Sequence, residues 1–223
     1  MIARELLGTA YVPGGTELRL FRHDRDFMIV MGHNELMSSR MSGSEIALAT
    51  ETIKRLKDRT APTLLIGGYG MGFTLRAALE VLGAKAELIV AELVPEIIQW
   101  ARGPMAHIAA GCLDDPRVRL LMGDVGSEID GANGDYDAIL LDVDNGPDGV
   151  VRDGNGALYT SSGLRAARRA LRPGGVLAVW SAGPDPAFTR RLEKAGFAVE
   201  QIRVAARTNG KGPKHTIWFA TPA

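Results

Sequence analysis

Four carboxylates and a run of glycines are the residues whose types and spacing could do chemistry. Asp142 and Asp144 stand two apart in Asp142-Val-Asp-Asn-Gly-Pro, directly after Asp137–Leu141, which reads as the fourth strand. In an extended chain, residues two apart project to the same side, so both acids could face one cavity. Two carboxylates that close resist ionising together, and one pKa rises unless a cation lies between them. An amine is such a cation. It must lose a proton before it can attack, and the pair could bind the ammonium and then take that proton. The plainer role for Asp144-Asn145-Gly146-Pro147 is a turn, to which its residue types are suited. Glu92 and Asp124 end two earlier apolar runs, so acids fall at three successive strand tips. Helix caps would account for any one of them.

The glycines are Gly68, Gly70 and Gly72, at two-residue spacing after Thr63–Ile66. That short continuous apolar run reads as a parallel strand buried on both faces. Apolar residues at helical intervals follow from Phe73 to Leu82, with Gly83 as a stop, and a second strand, Leu88–Ala91, leads to Glu92. Glycines let backbone approach a ligand closely, and the next helix offers free N–H groups. An acid about 20 residues on can accept from both ribose hydroxyls. Gly68, Tyr69, Gly70, Gly72 and Glu92 therefore read as a nucleoside pocket. The spacing is G-x-G-x-G, with no basic residue inside and no Gly-Lys-Ser/Thr after it. A ligand without a pyrophosphate is favoured, and a P-loop is not.

The elements that must position these residues follow from periodicity. Residues 1–42 read as a β-hairpin region: Glu17–Arg22 and Phe27–Met31 are strands, with Leu36-Met37 as a third short one. So few short strands need a partner to pack on, either the main domain or a second subunit. A helix from Glu45 to about Lys57, capped by Ser42 or Ser44, links them to residues 43–223. There strands alternate with helices: Pro95 opens a helix, residues 103–116 form a loop, and Val118–Met122 is the third strand. A Gly-rich loop runs to Ala157. Ser161 or Ser162 opens a helix through Ala170, Arg172-Pro-Gly-Gly turns into strand Val176–Trp180, Asp185 opens another helix, and Phe197–Val204 and Thr216–Ala220 form a closing antiparallel pair. The fold class is α/β, a mostly parallel Rossmann-like sheet with ligands beyond the carboxyl ends of its strands.

Composition narrows the function. Lys+Arg and Asp+Glu both number 26, which gives no electrostatic footprint for nucleic acid or a membrane surface. The basic tail (Arg203, Arg207, Lys211, Lys214, His215) reads as a solvated hairpin edge. Cys112 is the only cysteine; with no signal peptide and no run of 18 apolar residues, a soluble cytoplasmic protein is expected. His107 and Cys112 lack metal-ligand spacing, so no metal is expected. Trp100, Trp180 and Trp218 could stack on a substrate, but burial at element ends is the plainer role. Trp180 is the best placed for substrate, at the end of its strand.

With these residues placed, the chain resembles the class I S-adenosylmethionine-dependent methyltransferase fold, and more narrowly the spermidine synthase family. The resemblance rests on the N-terminal hairpin region, Leu-Ile-Gly-Gly with its glycine loop, the acid ending the second strand, Gly123-Asp124, Asp142, Leu158-Tyr159 and Leu171-Arg-Pro-Gly-Gly-Val. It implies that Glu92 holds the ribose hydroxyls, that Asp124 holds the adenine amino group, and that Asp142 accepts from the attacking amine. Tyr159 and Trp180 join Asp142 on the substrate side. A homodimer formed through the N-terminal region is also expected.

The departures bear on the reaction. The family's glycine loop, Gly-Gly-Gly-Asp-Gly-Gly, carries an acid that meets the aminopropyl group of decarboxylated S-adenosylmethionine; here it is Gly67-Gly-Tyr-Gly-Met-Gly. The family's Asp-Ser-Ser-Asp-Pro is replaced by Asp142-Val-Asp-Asn-Gly-Pro, and its Gln and Tyr-Gln-Glu elements have no convincing match in residues 35–45. Loss of the loop acid shifts the expectation toward S-adenosylmethionine and methyl transfer to a small amine-bearing molecule, with Asp142 and Asp144 catalytic. The alternatives are a polyamine aminopropyltransferase using the decarboxylated donor, and a cofactor-binding module without catalysis.

Overall fold

The computed structural model describes residues 4–57, 59–143, 147 and 156–223. Asp144 and most of the loop after it lie outside the described residues. The chain opens with four antiparallel strands in sequence order: β1 (Glu5–Tyr11), β2 (Glu17–His23), β3 (Asp26–Met31) and β4 (Asn34–Ser38). The hairpin region is thus one strand larger than expected, because β1 joins it. Gly8 of β1 lets Trp100 approach; a Cβ there would meet the indole Nε1 at 2.5 Å.

Helix α1 (Gly43–Arg55) leads to the second sheet. Its strands are β5 (Thr63–Gly67), β6 (Glu87–Glu92), β7 (Val118–Met122), β8 (Tyr136–Leu141), β9 (Leu171–Ser181), β10 (Phe197–Ala205) and β11 (Lys214–Pro222), in the order β10-β11-β9-β8-β5-β6-β7. Strands β5 to β9 pair in parallel, and β11 runs antiparallel to both β9 and β10, as the closing-pair reading expects. Around them lie α2 (Phe73–Val81), α3 (Pro95–Arg102), the single turn α4 (Ala106–Ala109), α5 (Val125–Gly131), α6 (Ser161–Ala170) and α7 (Pro186–Lys194). Residues 103–116, read as a loop, contain α4 and a 3-10 turn at Cys112–Asp114. Strand β9 begins at Leu171, ahead of the expected Val176. Leu171 pairs with Tyr136 and the register then shifts across Pro173 and the glycines.

Two apolar layers sandwich this sheet. One buries Leu65, Ile139, Leu141, Leu164, Phe188 and Trp218. The other joins Leu64, Ile66, Leu88 and Leu140 to Leu18, Leu20, Phe27 and Ile29 of the first sheet. The N-terminal sheet therefore packs on the main body of its own chain. Because the strand order reverses between β5 and β8, the chain leaves neighbouring strands toward opposite flanks and opens a crevice at their carboxyl ends.

Candidate active site

The loop after β5 crosses that crevice. Gly68 has φ +82°, and a Cβ on it would lie 2.9 Å from the Asp142 carbonyl oxygen. Gly70, at φ +56°, faces Met37 of β4, whose methyl and sulfur would lie 3.1 and 3.2 Å from an added Cβ. The loop thus runs between the end of β8 and the N-terminal sheet, with no room for side chains at Gly68 and Gly70. A cavity of about 330 Å³ opens beside it. Its floor is the strand tips, including Glu92, Asp124 and Asp142, and its roof is apolar, with Leu18, Ile29, Met31, Met37 and Met41 among its residues.

Glu92 ends β6 and is 7% exposed. Its carboxylate accepts from the backbone N–H of Val94 at 2.8 Å and of Tyr69 at 2.9 Å, which ties the glycine loop to the tip of β6. Burial pushes its pKa up, against the pull of these backbone donors. Asp124 caps α5, accepting from Gly126 N at 2.8 Å through Oδ1, and it also lines the cavity. Capping and ligand binding are therefore compatible in this residue. Asp142 lines the cavity and accepts from the Thr74 hydroxyl at 3.1 Å. Burial raises its pKa, and the Thr74 hydroxyl opposes that rise.

The structure gathers the predicted residues unevenly. Gly68, Tyr69, Gly70, Glu92, Asp124, Asp142 and Trp180 all line the cavity. Gly72 does not; it precedes α2 at φ +81° and packs over the Tyr69 hydroxyl. The Tyr69 hydroxyl in turn lies 3.5 Å from the Cys112 sulfur, so this residue reaches the cavity from beneath the loop. Tyr159 is buried in the core layer on the other side of the sheet, edge-on to Phe188, and is not among the cavity-lining residues. Trp218 is fully buried, donating to Thr189, and Trp100 is buried against β1; both match the plainer role of filling volume. Asp144 falls outside the described residues.

Among the lining residues that the sequence reading does not assign to the site, Glu45 and His215 matter most. Glu45, in the first turn of α1, shares the cavity with Asp142. Burial and the Asp142 charge raise its pKa, in that order, and the Ser44 hydroxyl opposes them. His215, on β11, stands edge-on to Trp180 at 4.7 Å between ring centroids, and burial lowers its pKa. Glu45 sits in the first turn of α1, where an acid is ordinary for a helix start and does not by itself mark a site. His215 was read only as part of a basic tail.

A parallel sheet closed by an antiparallel pair, with a glycine loop and acids on successive strand tips, is the class I methyltransferase-like fold. Solved structures agree. A spermidine synthase from Thermotoga maritima superposes with a TM-score of 0.78 over 98% of this chain and 73% of that one, at 19% identity. A spermidine synthase in complex with the transition state analogue AdoDATO gives 0.77, at 18% identity. The model of the spermine/spermidine synthase domain matches residues 49–192, and the chain belongs to that family. The polyamine aminopropyltransferase of Mycobacterium tuberculosis is 33% identical over 159 residues, 67% of this chain and 29% of that protein. That of Nitrosomonas europaea is 34% identical over 132 residues, 58% of this chain and 38% of that protein. The matched region thus spans well under half of these relatives.

Proposed function

We propose that this chain transfers the aminopropyl group of decarboxylated S-adenosylmethionine to the nitrogen of a small amine. The observation that carries the reading is the charge of the cavity. Its described lining holds five carboxylates, Glu35, Glu45, Glu92, Asp124 and Asp142, and neither Lys nor Arg. The decarboxylated donor is cationic and brings no carboxylate into this lining, whereas S-adenosylmethionine does, and a buried anion without a cationic partner is costly. Relatives named as polyamine aminopropyltransferases support the same choice over the methyl transfer that the acid-free loop suggested.

The donor supplies a carbon bonded to a sulfonium sulfur, which leaves as a neutral sulfide. Glu92 would hold the ribose hydroxyls, Asp124 the adenine amino group, and the backbone at Gly68 and Gly70 would lie against the nucleoside. Asp142 orients the amine and accepts the proton it must lose, while the apolar roof keeps water from the reacting atoms. Glu45 and Asp142 together resist carrying two negative charges, so the pair suits one ammonium group.

The loop without an acid sustains methyl transfer from S-adenosylmethionine as a second reading. Calorimetry with both donors separates the two, followed by mass spectrometry of amines incubated with the protein and each donor. The decarboxylated donor should bind at least about tenfold more tightly and yield an amine heavier by one aminopropyl group. Binding and turnover of S-adenosylmethionine alone would replace this proposal with methyl transfer. Binding of neither would leave a non-catalytic module.

A further inference from the structure

Ser44 is fully buried, and its hydroxyl touches two titratable groups. It lies 2.7 Å from Glu45 Oε2 and 2.8 Å from His215 Nδ1. A hydroxyl has one proton to donate and two lone pairs to accept with. When Glu45 is ionised it can only accept, so Ser44 donates to it and His215 Nδ1 must carry a proton to complete the chain. When Glu45 is protonated, its O–H donates to Ser44, and Ser44 donates to a bare Nδ1, leaving the imidazole proton on Nε2. The mixed arrangement, with both flanking groups donating, strands the Ser44 proton in a site closed to solvent, at the cost of an unmade buried hydrogen bond. The charge of Glu45 and the tautomer of His215 are therefore linked through one oxygen.

We propose that Ser44 and His215 are positioning residues for Glu45, and that Glu45 is a second proton-holding group of the cavity whose ionisation switches the His215 tautomer. The surroundings suit this role. Glu45 faces the Asp142 carboxylate, and the remaining titratable groups among the described lining residues are Glu35, Tyr69, Glu92 and Asp124. None of them brings a positive charge. A proton that Glu45 releases passes to the Ser44 oxygen as the Ser44 proton passes to Nδ1, and Nε2 then gives up its own, so the count of protons balances. Burial disfavours the His215 cation, so the released proton leaves from Nε2 instead of staying on the ring. Its Trp180 neighbour fixes the ring plane, so the switch moves protons rather than atoms. The structural part of this inference is independent of the reaction; its consequence for turnover rests on the proposed amine chemistry.

The test begins with the ligand-free protein. Nitrogen-15 shifts of the His215 ring and the carbon-13 shift of the Glu45 carboxyl are followed from about pH 5 to 9, a range that brackets a raised carboxyl. The Nδ1 signal should change from bare to protonated in step with the ionisation of Glu45. That step should vanish in Glu45→Gln, and in Ser44→Ala the two titrations should part. A His215 held in one tautomer while Glu45 titrates, or a coupling that survives Ser44→Ala, would overturn the proposal. With the decarboxylated donor and 1,4-diaminobutane as probe, His215→Asn should displace the acidic limb of the kcat/KM profile by about 0.5 pH unit or more and leave donor affinity within about twofold. A superimposable profile would refute the positioning role. Failure of every amine to react would remove the proposed activity, with the spectroscopic result still deciding the linkage.

Discussion

Asp142 shows how far a single residue can be read. Its place after an apolar run marked it as a strand-tip acid, and the structure brings it into the cavity beside Glu45 and Thr74. Asp142→Asn keeps the shape and the bond from Thr74 while removing the proton acceptor. Turnover of the amine should fall by about 10²-fold or more, with donor affinity unchanged by calorimetry. A normal rate would make Asp142 structural. Glu45 was less legible because its significance is tertiary. Nothing in Ser42-Gly-Ser-Glu-Ile marks which turn of α1 faces the crevice until β11 supplies His215, 171 residues away from Ser44. Gly72 and Tyr159 differ the other way: Gly72 lies between the lining residues Met71 and Phe73 but packs over Tyr69, and Tyr159 packs into the core on the other side of the sheet.

At the scale of elements, legibility tracked periodicity. β5, α2, α3, β7, α6 and α7 fall within a residue or so of where apolar spacing and caps place them; Asp185 indeed accepts from Ala187 N and Phe188 N at the head of α7. Besides the single turn α4, two longer elements gave no such signal. Helix α5 is seven residues with a glycine near each end and buries only Val125 and Ile129, too short for a period to emerge. β1 exposes Leu6 and Tyr11 while Leu7 packs against the core, and its register shifts between Leu6 and Gly8, so its alternation does not read as a strand facing a core. A polar residue placed by the strand reading has a role of its own at the opposite end of the sheet. Asp137 of β8 is 1% exposed. It pairs with Arg59, accepts from Arg172 at 2.7 Å and accepts from Thr63 N of β5 at 2.7 Å. Asp137→Ala would leave two guanidinium groups and a backbone donor without their acceptor. Both arginines retain about a third of their exposure, which lessens the penalty, so the expected loss is about 3 kcal/mol, the low end for breaking a buried pair. Urea denaturation measures it, and a loss under about 1 kcal/mol would mean that water replaces the carboxylate.

For the molecule as a whole, the cavity has an energetic consequence that extends beyond binding. Glu45, Asp142 and Glu92 all have pKa values raised chiefly by burial. In the unfolded chain such groups ionise near their ordinary values, about 4.3 for Glu. As pH rises past that value the unfolded state loses protons that the folded state keeps, and stability falls until the folded carboxyls also ionise. His215 acts in the opposite sense. Its lowered pKa means that acid below about 6.5 favours the unfolded state, which offsets part of what the carboxyls gain there. Glu45→Gln removes one raised carboxyl and its repulsion with Asp142 while still offering an acceptor to Ser44. The variant should match the wild type near pH 5, where Glu45 is protonated when folded, and exceed it by about 1 kcal/mol at pH 8, where the wild type bears the cost of a second buried charge. Chemical denaturation at the two pH values decides this. A wild type equally stable relative to Glu45→Gln at both would show that Glu45 ionises freely, and that the cavity tolerates both carboxylates without a bound cation.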